Sequence, residues 1–153
     1  MNLQVFEIEF GTPQYDAAVR LRYEVLRKPL GMEYTPEQLA AEYDQKHIVA
    51  CNENGVILGY LNLTPLDAST VKMRQVAVDP GLQGKGVGTT MVQASEAFAR
   101  RMGFRQMVLH ARETAVPFYL RLGYTVVGER FEEVSIPHFK MEKPLDENTT
   151  NLA

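Results

Sequence analysis

Apolar and polar residues alternate from Leu3 to Phe10 (Leu3 and Val5, then Phe6, Ile8 and Phe10 after one slip), which predicts a strand. From Tyr15 to Leu26 the period changes. Ala18, Leu21 and Val25 share one face at spacings of three and four, as in a helix. Pro29 and Gly31 in "RKPLGMEY" end it. Thr35-Pro36-Glu37-Gln38 then offers a capping threonine, a proline suited to the first turn and the glutamine of a capping box. A second helix is expected from there to Tyr43. Two apolar runs, "HIVACN" and "VILGYLNLT", meet at Asn54-Gly55, a strong hairpin signal. Another turn, "PLDAST", leads into Val71–Val78, so these three strands are expected to form an antiparallel meander.

The second half repeats the alternation of elements. Gly88 to Met102 reads as a helix with Met91, Ala94 or Ser95, Phe98 and Met102 inward, and Gly103 follows as its cap. "QMVLHA" is a strand. Thr114–Leu122 is a short helix that tolerates Pro117 in its first turn and ends at Gly123. Tyr124–Arg130 and Phe139–Lys143 read as the last two strands, and "PLDENTTNLA" as a polar, disordered tail. The unit Val71–Val78, helix, Met107–His110 is a strand-helix-strand crossover, which makes its strands parallel and right-handed. The rest is mostly antiparallel, giving an α+β class with one domain over 1–144 and a tail over 145–153.

Composition narrows the function. At 153 residues, with 45% hydrophobic and 23% charged residues, one core can form without disulfides or metal. A net charge of −3 argues against nucleic acid or an anionic membrane as partner. The single cysteine, Cys51, lies in an apolar strand and reads as a small buried hydrophobe. It fits a reducing compartment, and Glu7 and Glu9 stand where a secretory signal needs an apolar core, so a cytoplasmic location is expected. No apolar run approaches the roughly 20 residues of a membrane span. His47, His110 and His138 have no metal-ligand spacing, and no metal is expected.

The densest signal is "QVAVDPGLQGKGVGTTM", Gln75–Met91. A strand-like run passes through glycines into a helix start. Such a joint is an anion site, because the first N–H groups of the helix lack partners and glycine lets the backbone reach phosphate oxygens. The phosphate loop of nucleotide triphosphatases fails: Gly84-Lys85 is followed by Gly86, not Ser or Thr, and position 79 is Asp79. The dinucleotide pattern fails too, since Thr89 stands where the third glycine belongs.

Gln83-Gly84-Lys85-Gly86-Val87-Gly88 resembles the Gln/Arg-x-x-Gly-x-Gly/Ala signature of the GNAT N-acetyltransferase superfamily. Val76-Ala77-Val78-Asp79-Pro80 resembles its fourth strand, and Ala115-x-x-Phe118-Tyr119-x-x-x-Gly123-Tyr124 its second motif. The C-terminal Ile136-Pro137-His138 run, and less specifically "LRYEVLRKPLG", resemble the ElaA-like subgroup. The resemblance implies a GNAT fold: a mixed, mostly antiparallel sheet of about seven strands whose fourth and fifth strands run parallel and splay, with about four helices. It implies acetyl-CoA, or another acyl-CoA, as donor. Gln83, Gly84, Lys85, Gly86, Val87 and Gly88 would receive the pyrophosphate through backbone N–H groups, with the Lys85 side chain either adding charge or staying in solvent. Val76, Ala77 and Val78 would pair with the pantetheine arm, and an N–H near Val76 would face the thioester oxygen.

The implied chemistry is direct attack of a primary amine on the thioester. Tyr119 aligns with the tyrosine that protonates the leaving thiolate, or it only packs beneath its helix. For a base, Glu113, Glu129, Glu132, Glu133, His110 and His138 qualify by type; His138 is singled out because it lies in the run that resembles the ElaA-like subgroup, and a histidine can titrate near neutrality. A structural histidine and water-mediated deprotonation stay open. One departure stands out: Arg112 replaces the asparagine that many members carry there. The acceptor is set by Arg20–Tyr43 and by the C-terminal hairpin, where Tyr23, Tyr34, Tyr43 and Phe131 line a pocket or belong to the core. A small-molecule amine is expected. The alternatives are a protein lysine or N-terminus, and a non-catalytic acyl-CoA-binding regulator. Homodimers are common in the superfamily.

Overall fold

The chain was analysed as a computed structural model that describes residues 2–145. Its elements follow in the expected order: β1 (Gln4–Ile8), α1 (Pro13–Arg22), α2 (Pro36–Ala40), β2 (Lys46–Cys51), β3 (Ile57–Pro65), β4 (Thr70–Val78), α3 (Val87–Arg101), β5 (Gln106–Arg112), α4 (Val116–Arg121), β6 (Thr125–Glu133) and β7 (Ile136–Pro144). The sheet order is β1-β2-β3-β4-β5-β7-β6. Thr70–Met73 of β4 pairs in parallel with Gln106–Leu109 of β5. The pairs β1-β2, β2-β3, β5-β7 and β6-β7 are antiparallel. This is the expected α+β sheet of seven strands with four α-helices. The insertion of β7 between β5 and β6 is not legible in the order of elements.

The chain divides into two compact units, one running to Thr64 and including Gln75–Ser95, the other comprising Pro65–Arg74 and the chain from Glu96 onward. In the first, Ile8, Tyr15, Ala18, Val49, Cys51 and Tyr60 form a core cluster. α1 starts earlier than its apolar stripe, because Thr12 accepts from the Tyr15 amide and Pro13 fits the first turn. Regular winding stops at Arg22. Tyr23–Arg27 widens into a π turn, and Gly31 closes the segment at φ 67°. α2 carries the expected capping box but ends at Ala40, short of Tyr43.

The sequence hides a polar centre in this unit. Tyr15, Ala18 and Arg22 are all buried on one stripe of α1. The Arg22 guanidinium donates to Glu42 Oε1 (2.6 Å) and to the Tyr60 hydroxyl (2.8 Å), and Tyr15 donates to the same Glu42 oxygen (2.8 Å). Tyr60 in turn donates to His47 Nδ1 at 2.6 Å, while His47 Nε2–H donates to the Glu42 carbonyl at 2.9 Å. With Nε2 carrying the proton, His47 is neutral. Burial lowers its pKa from 6.5, outweighing the pull of Glu42. A second proton on Nδ1 would confront a hydroxyl that already accepts from Arg22.

In the second unit, residues alternate across the strands. Val71, Met73, Met107, Leu109, Ala111 and Met141 are buried. Glu96 of α3 accepts from the Tyr124 hydroxyl (2.8 Å) and from Lys143 (2.9 Å). The last two strands run longer than expected, because the hairpin turns through Val134 and Ser135 at φ 47° and 63°. Neither residue announces a primed turn, which normally uses Asn or Gly. Met102, expected inward, is exposed because α3 ends at Arg101. Leu145 is buried and its N–H donates to the Arg105 carbonyl at 2.7 Å. The rest of the expected tail, 146–153, lies outside the described residues.

The neutral His47 fixes a pH dependence. Its folded pKa is depressed, so its contribution is intact above the unfolded value of 6.5 and is lost as pH falls through the folded value. Thermal melts should hold a plateau above neutrality and decline below it, and His47→Gln should flatten that decline while lowering the plateau. Replacing Glu42 with Ala strands the buried Arg22 and should cost about 3–5 kcal/mol in urea unfolding.

Candidate active site

The end of β4 and the start of α3 form one continuous structure within the first unit. Ala77 is buried, while Val76 and Val78 are half-buried. The strand is anchored by the Asp79 amide, which donates to the Leu58 carbonyl at 2.8 Å. Asp79 then shapes the turn: its carboxylate accepts from the Gly81 amide at 2.8 Å, and its carbonyl from Leu82 at 2.9 Å. Gly84 and Gly86 follow at φ 82° and 86°, a region costly to any residue with a Cβ, and the space a Cβ would occupy is open at both.

α3 is seated by the buried Val87, Met91 and Val92. A Cβ on Gly59 would lie 3.0 Å from Met91 Sδ, so glycine there allows the close approach of helix to sheet. The Thr90 amide makes a helical bond, to the Gly86 carbonyl at 3.0 Å. The amides of Val87, Gly88 and Thr89 precede it and have no turn of helix before them to accept. The Lys85 amide differs from its neighbours, because it donates to the Leu82 carbonyl at 3.2 Å. Its backbone is therefore not an open donor, contrary to the expectation for the whole Gln83–Gly88 run. Only the exposed Lys85 side chain is left to contribute.

Just before the donor-side valines, Gln75 adopts φ 57°. A non-glycine residue there is strained by about 1–3 kcal/mol. Its side chain accepts from the Tyr34 hydroxyl at 2.7 Å, and the Tyr34 ring lies between the guanidinium groups of Arg22 (4.8 Å) and Arg27 (4.4 Å). Of the four aromatic residues that sequence left between pocket and core, Tyr34 is thereby tied to β4. Tyr43 is 69% exposed. Phe131 packs edge-on against His110 at 5.0 Å.

The residues expected to move protons lie in the second unit. Tyr119 is buried and its ring meets Phe118 and Tyr124 edge-on. Burial raises its pKa well above 10, so it stays protonated. Among the described residues its hydroxyl has no hydrogen-bond partner, and the oxygen is not sealed from solvent. Phe118 is the more exposed of the two.

Three of the six candidate bases come together. His138 is buried, and its Nδ1–H donates to the Ile136 carbonyl at 2.8 Å. Any further proton must go to Nε2, which faces Glu133 Oε2 at 3.6 Å. The other Glu133 oxygen accepts from His110 Nδ1 at 3.0 Å. Burial pushes the Glu133 carboxyl up, but the His110 hydrogen bond and the charges of His110, His138 and Lys72 together hold it below 4.5. Glu113 instead pairs with Arg130 at the surface (3.5 Å), and Glu129 and Glu132 are exposed. Arg112 ends β5 directly opposite His138. Sequence missed Lys72, whose Nζ lies 3.4 Å from His110 Nδ1. Its place between the buried Val71 and Met73 was the available signal.

Among the described residues no cluster of His, Cys, Asp and Glu is arranged to hold a metal ion, and no helix is long and apolar enough to cross a membrane. Cys51 is buried, and burial raises its thiol pKa, so it is not an activated nucleophile.

A UPF0039 protein of Schizosaccharomyces pombe is 32% identical over 101 residues, 65% of this chain and 67% of that one. Further curated relatives align over only 34–55% of their own length. Escherichia coli ElaA shares the fold at a TM-score of 0.76 and 20% identity, covering 93% of this chain and 99% of its own. An aminoglycoside 6'-N-acetyltransferase complexed with coenzyme A does so at 0.78 and 16%, covering 94% and 97%. The family model of the acetyltransferase (GNAT) domain matches residues 20–145. The chain therefore belongs to the GNAT acetyltransferase family, with ElaA among its structural relatives.

Proposed function

We propose that the protein is a cytoplasmic N-acetyltransferase that moves an acetyl group from acetyl-CoA to a primary amine of a small molecule. The observation that carries this reading is the pair of left-handed glycines, Gly84 and Gly86, at the head of a helix whose first amides have no preceding turn to accept them. That arrangement suits the pyrophosphate of the donor: the amides of Gln83, Gly84, Gly86, Val87 and Gly88 bind, with the Lys85 ammonium beside them. Val76, Ala77 and Val78 receive the pantetheine arm, and the amide following the left-handed Gln75 stabilises charge on the thioester oxygen. The presence of coenzyme A in the related aminoglycoside acetyltransferase supports the assignment of donor.

The bound thioester supplies the acyl carbon that the amine attacks. The amine must first lose a proton, since an alkylammonium has a pKa of roughly 10. His138 takes that proton on Nε2, the ring nitrogen left free by its bond to Ile136, and Glu133 stabilises the imidazolium that results. The C–S bond breaks as the amide forms: Tyr119 gives its proton to the departing thiolate, and the second amine proton, shed by the nitrogen as it becomes an amide, restores the tyrosine hydroxyl. Burial keeps Tyr119 neutral until that moment. Direct transfer needs neither a metal nor a cysteine.

A thiol-release assay with acetyl-CoA and a panel of amines tests the activity. Turnover with at least one small amine is expected; saturable binding of acetyl-CoA with no acceptor in any class would favour a non-catalytic binder instead. Tyr119→Phe should lower kcat about tenfold or more at unchanged acetyl-CoA affinity. Unaltered turnover would remove Tyr119 from the reaction. Gly86→Val forces a β-branched residue to φ 86° and fills the open space above the loop. It should weaken acetyl-CoA binding by on the order of tenfold, and equal affinity would refute the placement of the pyrophosphate.

A further inference from the structure

Among the described residues of the second unit, Lys72 is a half-buried cation without an ion pair. Lys72 is half-buried on β4, and burial lowers its pKa from 10.5, an effect that Glu133 opposes and Arg74 and Lys140 reinforce. Among the described residues it makes no ion pair, and its polar contact is His110 Nδ1 at 3.4 Å. That nitrogen cannot serve it. The shorter contact, 3.0 Å, joins Nδ1 to a carboxylate that is held ionised, so Nδ1 must carry a hydrogen and donate it to Glu133. Lys72 then faces an N–H rather than a lone pair. Its ammonium is partly stripped of water and has no acceptor among the described residues, a state that costs free energy until an anion arrives.

Most of the surrounding charge has the same sign; Glu142, at the far end of the register row through Val108, is engaged by Gln106 at 2.7 Å. Lys72 and Val108 are register partners, and His110 and Lys140 stand opposite each other one step along. Arg74 and Lys140 raise the positive potential at Lys72. The nearby carboxylate, Glu133, is already engaged by His110 and His138. In a chain of net charge −3, this stretch of sheet is locally cationic. It is also linked, through His110 and Glu133, to His138.

Resting on the acetyltransferase reading, we propose that Lys72 binds an oxyanion carried by the acyl acceptor, so that the acceptor is an amine bearing a carboxylate or a phosphate. The oxyanion replaces the missing partner of the ammonium. The amine at the other end of the molecule is held toward His138 for deprotonation. Lys72 thus selects the substrate and takes no part in bond making.

The experiment uses the full chain, saturating acetyl-CoA and matched acceptors: an ω-amino carboxylic acid beside its primary amide, and an ω-aminoalkyl phosphate beside the parent amino alcohol. The carboxylate pair or the phosphate pair should show a preference of about 10- to 100-fold in kcat/KM for the charged member, expressed in KM. Whichever pair shows it identifies the oxyanion. Lys72→Met should reduce that ratio to near one, and Lys72→Arg should keep part of it. Acetyl-CoA affinity, measured by calorimetry on each variant, shows whether the protein is folded. Equal use of charged and neutral members by the unaltered protein overturns the proposal, as does a preference that survives in Lys72→Met. Turnover without preference sinks this inference alone; absence of turnover with every amine sinks the acetyltransferase reading and this inference with it.

Discussion

Main-chain hydrogen-bonding capacity that the protein does not use for itself is the constraint around which its donor side is built. Buried or half-buried peptide groups normally find partners within the fold. Between Asp79 and Thr90, where most residues are exposed, the chain bonds its own main chain at selected points. The Asp79 side chain and carbonyl hold Gly81 and Leu82, Leu82 holds Lys85, and Gly86 starts the helix by accepting from Thr90. The first amides of α3 have no preceding turn of helix to accept them. The core residue Val87 fixes where the helix begins, and Gly59 fixes how closely it can sit. The open amides are therefore held by packing, which is the condition for binding an anion without reordering the loop.

The strain upstream follows the same logic. Gln75 occupies a backbone region that favours glycine, immediately before the half-buried Val76. The conformation is held by a hydrogen bond from Tyr34, whose ring is in turn gripped by Arg22 and Arg27. Arg22 belongs to the buried network with Glu42, Tyr60 and His47. A chain of polar contacts thus runs from the interior of the first unit to the turn that sets the direction of β4. Such networks are costly to break partway, because each deletion strands a buried group.

Much of this was legible. The glycines at 84 and 86, the capping box at Thr35, the Asn54-Gly55 turn and the change of hydrophobic period gave the order of elements, since each reflects a local rule. The buried Arg22 was not legible, because an arginine on an apolar stripe looks like the edge of the helix until Glu42 and Tyr60 are brought to it. The hairpin at Val134-Ser135 was hidden by residues that rarely adopt positive φ. The pairing of His110 with His138 through Glu133 depends on β7 entering between β5 and β6, which no pattern of periodicity records. Nor does sequence say that Lys85, the one cation of the glycine loop, spends its amide inside the turn.

The central claim is that the open amides at the head of α3 receive the donor's pyrophosphate. A titration of the isotopically labelled full chain with acetyl-CoA, followed by amide NMR, reads those groups one by one. The account predicts saturable shifts concentrated on Gln83, Gly84, Gly86, Val87 and Gly88, with the already bonded Lys85 amide moving least. No saturable binding, or shifts that leave these residues still while moving others, would contradict it.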